Sequence, residues 1–194
     1  MLQWLMGLLF SDYEKFLINR NLNYHNRRSI RLKDFNYSTP WWYYITICTH
    51  NRINLFGTIK NGKMILNKFG SIVHEEWLRA EQLRENVELD YYVIMPNHFH
   101  GISIIKSRDT ARCVPTNEKR KFSEMFPGSL PVIVRSFKSA VTKRINELRN
   151  SLGEPVWQKN YYEHIIRNQN DLDNIRRYIE LNPLKWEIDE YYSK

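Results

Sequence analysis

Tyr92-Val93-Ile94-Met95-Pro96-Asn97-His98-Phe99-His100-Gly101-Ile102 is the stretch on which the fold turns. An apolar run ends at Pro96-Asn97, a pairing suited to a tight turn because proline presets φ and asparagine accepts the left-handed region. A second apolar run follows at once. Residues 87–95 and 98–105 therefore read as two joined strands, with the histidines at the start of the second, near the sheet edge. Side chains alternate across a strand, so His98 and His100 leave one face together and Phe99 leaves the other. Two neighbouring imidazoles can grip a metal ion. Such a pair also occurs as half-buried or surface histidines that bind nothing, and the spacing alone leaves both readings open.

Upstream, residues 41–49 are aromatic and β-branched, as in a strand buried on both faces. Residues 55–59 and 64–66 flank Asn61-Gly62, a hairpin signal because both turn residues tolerate positive φ; the sheet is expected to begin here. Residues 68–84 carry Phe69, Ile72, Val73, Trp77 and Leu78 at helical spacing, with charges opposite. Downstream, residues 106–129 are polar, basic and aperiodic, which reads as a loop long enough to close over a ligand. Residues 130–148 read as a helix with Pro131 in its first turn and Val134, Phe137, Val141, Ile145 and Leu148 on one face. Arg135, Lys138, Lys143 and Arg144 lie off that face, as solvated charges or as a cationic rim. Residues 161–167 fit a short strand or a turn.

Asn170, followed by Asp171 and Asp173, reads as the start of a last helix, with acidic residues at the positive end of its dipole. It stops before Pro183. Ile175, Tyr178, Ile179 and Asn182 share one face of it. If that face covers the sheet, a phenol and an amide meet the two imidazoles, and together these groups can hold a divalent ion beside a nucleophile. A tyrosine at a helix-sheet seam and an asparagine before a proline also have purely structural roles, and spacing does not separate these cases.

The chain has 194 residues, 42% of them hydrophobic and 14% aromatic, enough for one domain with a sizeable core. The expected organisation is an extension, 1–26, then one domain, 27–194: a basic arm at 27–40, sheet and helices at 41–105, the loop at 106–129, helices at 130–183 and a tail at 184–194. A formal net charge of +8 favours a polyanionic partner, since clustered cations release counterions from a phosphate backbone. Arg27, Arg28, Arg31 and Lys33 crowd the arm, which reads equally as solvated or phosphate-contacting. Cys48 and Cys113 have no zinc-ribbon spacing and build no disulfide framework, which points to a reducing cytoplasm. The apolar residues 1–10 lack a basic n-region and are too short to span a bilayer, so no membrane partner is expected.

Met95-Pro96-Asn97-His98-Phe99-His100-Gly101, Trp157-Gln158, the run Tyr162-Glu163-His164 to Ile166-Arg167, and Tyr178-Ile179 with Asn182-Pro183 together resemble the REP-associated tyrosine transposases. These are members of the single-tyrosine HUH superfamily, named for the His-hydrophobic-His motif and also called IS200-like. The likeness reaches back through Arg28, Ile30-Arg31-Leu32, Tyr44 to Thr49 and Leu55-Phe56-Gly57. It implies an α+β fold with a ferredoxin-like antiparallel sheet and helices packed on it. It further implies His98, His100 and Asn182 as ligands of Mg²⁺ or Mn²⁺, and Tyr178 as the nucleophile. The implied reaction is endonucleolytic cleavage and transfer of hairpin-bearing single-stranded DNA through a 5′-phosphotyrosine link, by a monomer or a homodimer. Two imidazoles and an amide suit Mn²⁺ better than Mg²⁺. Arg27, Arg28, Arg31, Lys138, Arg144 and Arg167 are the expected backbone contacts on the DNA. The competing expectations are a non-catalytic single-strand-binding module on the same fold and a zinc hydrolase built on the two histidines.

Overall fold

The structure, a computed structural model, describes residues 39–107 and 128–192, all within the compact unit Asp34–Lys194. The extension 1–26, arm residues 27–38 with Arg27, Arg28 and Arg31, and most of the loop lie outside the described residues.

Strand β1 (Trp41–Cys48) pairs antiparallel with β5 (His98–Ile105) on one edge and with β6 (Tyr162–Ile165) on the other. Strand β4 (Val87–Ile94) flanks β5, giving the antiparallel order β4-β5-β1-β6. Helix α1 (Lys68–Gln82) connects β1 to β4, and α2 (Leu130–Leu148) connects β5 to β6. Two strand-helix-strand units thus interleave in one sheet, the ferredoxin-like arrangement. Helix α3 (Gln169–Leu181) follows β6.

The two sheet faces carry different chemistry because the strand period is two. Tyr43, Ile45, Ile47 and Phe99 enter the main core with Trp77 of α1 and Phe137 of α2. Phe99 packs against both rings, at centroid distances of 4.7 and 5.4 Å. Gly101 is required in that layer: a Cβ there would stand 2.7 Å from the Phe99 ring and 2.9 Å from Trp77. The other face presents Tyr44, Thr46, His98 and His100 to α3.

Four expectations are corrected. The hairpin of β2 (Gly57–Lys60) and β3 (Lys63–Leu66) turns as foreseen, with φ of 51° at Asn61 and 70° at Gly62, but forms a separate two-stranded sheet because both edges of β1 are taken. The histidines lie on an interior strand paired on both sides, not at a sheet edge. Asn97 does not adopt positive φ. Its side chain is instead a tether, donating from Nδ2 to Arg52 O at 3.1 Å and Tyr191 O at 2.7 Å. The last helix begins earlier than Asn170, since Asn168 caps it by accepting from Asp171 N at 2.9 Å.

Docking of α3 is fixed at its middle. The β4-β5 register shifts between Leu89 and Tyr92, and within that irregularity Asp90 receives Arg176 Nε at 2.9 Å. The same guanidinium lies 5.2 Å from the Tyr91 ring centroid and 5.8 Å from that of Trp42.

Candidate active site

Docking α3 across the sheet brings Tyr178 over His100. The phenol oxygen stands 3.4 Å from His100 Nε2, and the two rings meet edge-on at 5.1 Å. The His98 and His100 rings are 4.5 Å apart. One helical turn beyond Tyr178, Asn182 is fully buried, and its Oδ1 has no hydrogen-bond donor among the described residues. Tyr178, His98 and His100 are therefore gathered in one place, and Asn182 is buried on the next turn of the same helix face, as expected from helical spacing and strand alternation.

Each imidazole is oriented by a neighbour. His98 Nδ1 is 2.9 Å from Asn97 Oδ1, which only accepts, so Nδ1 carries the proton and Nε2 the lone pair. His100 Nδ1 is 2.8 Å from Tyr44 Oη and 2.9 Å from Thr46 Oγ1, and Thr46 donates to Tyr44 at 3.2 Å. With Nδ1 held there, Nε2 is directed at Tyr178.

The segment 183–192 closes the site from outside. Tyr191 lies 4.6 Å from the His98 ring and 5.9 Å from His100, and Trp186 lies 5.9 Å from His98. Asp189 accepts from Asn182 Nδ2 at 2.9 Å and, through its other oxygen, from Tyr191 N at 2.8 Å. From sequence, Tyr44, Thr46, Asn97, Asp189, Trp186 and Tyr191 carry no role at the site, although Asn97 reads as a turn residue and Tyr44 to Thr49 form part of the resemblance. The β1-β5 register, which sets Thr46 opposite His100, exposes the first two only once the strands are paired. The tail has no periodicity that signals Asp189, Trp186 and Tyr191.

The expected DNA contacts do not converge here. Lys138 and Arg144 ride α2, on the opposite sheet face. Lys138 Nζ donates to Gln158 O at 2.6 Å and Lys159 O at 3.2 Å, and burial lowers its pKa. Arg144 is bridged to Glu75 and, at 2.8 Å, to Glu76; these bonds hold its pKa up. Arg167 is exposed beside the start of α3 and borders a cavity of about 590 Å³ with Trp41, Trp42 and Arg176. There, His164 Nε2 and Arg167 N both bond Asp171 Oδ2, at 2.8 and 3.1 Å. Burial pushes the Asp171 carboxyl up, but these hydrogen bonds and the His164 and Arg167 charges outweigh it and leave the pKa lowered.

Among the described residues no three or more His, Cys, Asp or Glu side chains cluster within reach of one ion, which gives the zinc-hydrolase reading no third ligand of that kind. Among them, too, no helix is long and apolar enough to cross a membrane.

Fold and site together define a ferredoxin-like α+β protein in which a strand His-hydrophobic-His pair faces a helix tyrosine. No family model matches the chain. A Haemophilus influenzae (strain Rd) protein described only as uncharacterized is 42% identical over 178 residues, which cover 89% of this chain and 96% of that one. The chain belongs to the family of that protein. Among solved structures, a REP-associated tyrosine transposase bound to a REP hairpin is similar with a TM-score of 0.55 at 18% identity, over 80% of this chain and 73% of that one. At that identity the likeness is one of fold.

Proposed function

We propose that this protein is a DNA transposase: a metal-dependent endonuclease and strand transferase for hairpin-bearing single-stranded DNA, with Tyr178 as nucleophile. The observation that carries the reading is the approach of the Tyr178 phenol to His100 Nε2, beside His98, with the Asn182 oxygen buried one helical turn beyond Tyr178. The likeness of fold to a hairpin-bound tyrosine transposase supports it.

The donor set fits a divalent cation. His98 directs a lone pair from Nε2, His100 can do the same, and Asn182 Oδ1 is a buried acceptor of the kind a cation satisfies. Mg²⁺ or Mn²⁺ bound by these three residues would neutralise a non-bridging phosphate oxygen and lower the barrier to attack.

The chain's own residues supply the rest. Tyr178 Oη forms a bond to phosphorus as the bond from phosphorus to the ribose 3′-oxygen breaks. The phenol proton balances the new 3′-hydroxyl, and the protein retains a 5′-phosphotyrosine. Because the ester bond is kept, a second 3′-hydroxyl can reverse the step onto a new strand. A tyrosine in water keeps its proton to about pH 10 and gives it up more readily beside a bound cation; His100 serves the metal position rather than taking the proton, because Nε2 has a single lone pair. Tyr44 and Thr46 hold that imidazole still.

The non-catalytic binding reading has one observation in its favour: Tyr178 is only 3% exposed and Tyr191 covers the histidines, so DNA cannot reach the site until the tail ring moves. Incubation with hairpin single strands and Mn²⁺ or Mg²⁺, followed by denaturing gel analysis, separates the two. The transposase reading expects a covalent adduct lost in Tyr178→Phe and His100→Ala. An adduct that persists in Tyr178→Phe removes the nucleophile assignment, and salt-sensitive binding with no adduct in either metal establishes the binding module.

A further inference from the structure

We propose that Asp189, in the tail, is the positioning residue for Asn182: it dictates which end of the amide faces the metal position. The inference rests on the metal reading above and adds a residue that neither the motif nor the resemblance includes.

An asparagine side chain has an acceptor end and a donor end of nearly the same shape, and only the acceptor end can ligate a cation. Something must choose between them. Asp189 does so because a carboxylate only accepts: facing Asn182 at 2.9 Å, it captures the Nδ2 end and turns Oδ1 away. The carboxylate cannot swivel freely, since its other oxygen accepts from Tyr191 N at 2.8 Å. Asp189 and Asn182 are 6% and 0% exposed, so no solvent competes for the amide. The amide oxygen so displaced is the buried one without a donor among the described residues. Asp189 is not itself grouped with the two histidines at ligand distance, which separates orienting from ligating. The arrangement completes a pattern in which Asn97 orients His98, Tyr44 and Thr46 orient His100, and Asp189 orients Asn182.

The test is Mn²⁺ affinity, measured without DNA by the electron paramagnetic resonance of free Mn²⁺, on the full chain. Asp189→Asn is isosteric, but it replaces one acceptor by a donor. If its NH₂ faces Asn182, the Asn182 amide turns over and points its own NH₂ at the metal. If its NH₂ faces Tyr191 N, two donors collide and the tether is lost. The expected result is a loss of affinity of about 10- to 100-fold, the usual range for removing an orienting partner. Asn182→Asp combined with Asp189→Asn should restore it. In that double variant the amide now in the tail donates to one oxygen of the carboxylate now on the helix and accepts from Tyr191 N, leaving the second carboxylate oxygen for the cation. A residue of merely structural importance would shift the metal-free unfolding midpoint in the single variant without affinity returning in the double. Unchanged affinity in Asp189→Asn, or no recovery in the double variant, overturns the proposal. If the unaltered chain binds Mn²⁺ no better than His98→Ala does, the metal reading itself fails.

Discussion

Truncating Phe99 to alanine should separate the two faces of the histidine strand. Phe99 is fully buried, and its ring meets Trp77 at 4.7 Å, Phe137 at 5.4 Å and Tyr92 at 6.3 Å. Removing a buried phenyl ring costs about 3–5 kcal/mol, from lost transfer free energy and from the cavity left behind. For a chain of this size each kcal/mol lowers the melting temperature by about 2–4 °C, so a fall of roughly 6–20 °C is expected. Urea unfolding followed by circular dichroism gives the free-energy change directly, provided the denaturant slope is unchanged. Well below its midpoint the variant should still form the Tyr178 adduct, because the partners that orient His98 and His100 lie on the other face. Gly101→Ala sharpens the test. In the unaltered chain its Cβ collides with the Phe99 and Trp77 rings, costing about 1–3 kcal/mol against a backbone gain of about 0.5–1 kcal/mol. In the Phe99→Ala background the phenyl collision disappears, so the two changes should be coupled by at least ~0.5 kcal/mol. A loss below about 2 kcal/mol for Phe99→Ala, or strict additivity with Gly101→Ala, would refute this account of the strand.

Thr46→Val removes a hydroxyl at His100 Nδ1 and should weaken Mn²⁺ affinity by about 10-fold or more while leaving the fold intact, read by metal titration beside circular dichroism. Asp171→Asn should flatten the acid limb of stability. The native carboxyl sits below its ordinary value, so the unfolded chain binds the proton first, and stability present above about pH 4 is lost as pH falls toward the folded value. Tyr43→Phe should flatten the alkaline limb. Burial, then the Glu163 charge, raises the Tyr43 phenol, so above about pH 10 the unfolded chain releases a proton that the native chain keeps, and stability falls as pH rises. Denaturant melts across both pH ranges check these two. Tyr191→Ala should speed adduct formation by uncovering the histidines; a rate unchanged or lower in a folded variant would show that the ring does not obstruct entry.

What the sequence determined was periodic or local. Strand alternation puts His98 and His100 on one face and Phe99 on the other. Helical spacing puts Tyr178 beside Ile175, Ile179 and Asn182. Asn61-Gly62 closes a hairpin because its backbone geometry is set within four residues. Tertiary structure decided whatever depends on which strands are neighbours. Strand order made β5 interior, moved the hairpin out of the sheet and set Thr46 against His100, none of which a single strand's pattern encodes. It also placed Lys138 and Arg144 on the far face, one bound to backbone carbonyls and the other to two glutamates, where charge alone suggested contacts to DNA. The tail is the extreme case: Asp189 and Tyr191 carry no motif, and they reach Asn182, His98 and His100 only because the turn after Pro183 folds the chain back over the sheet.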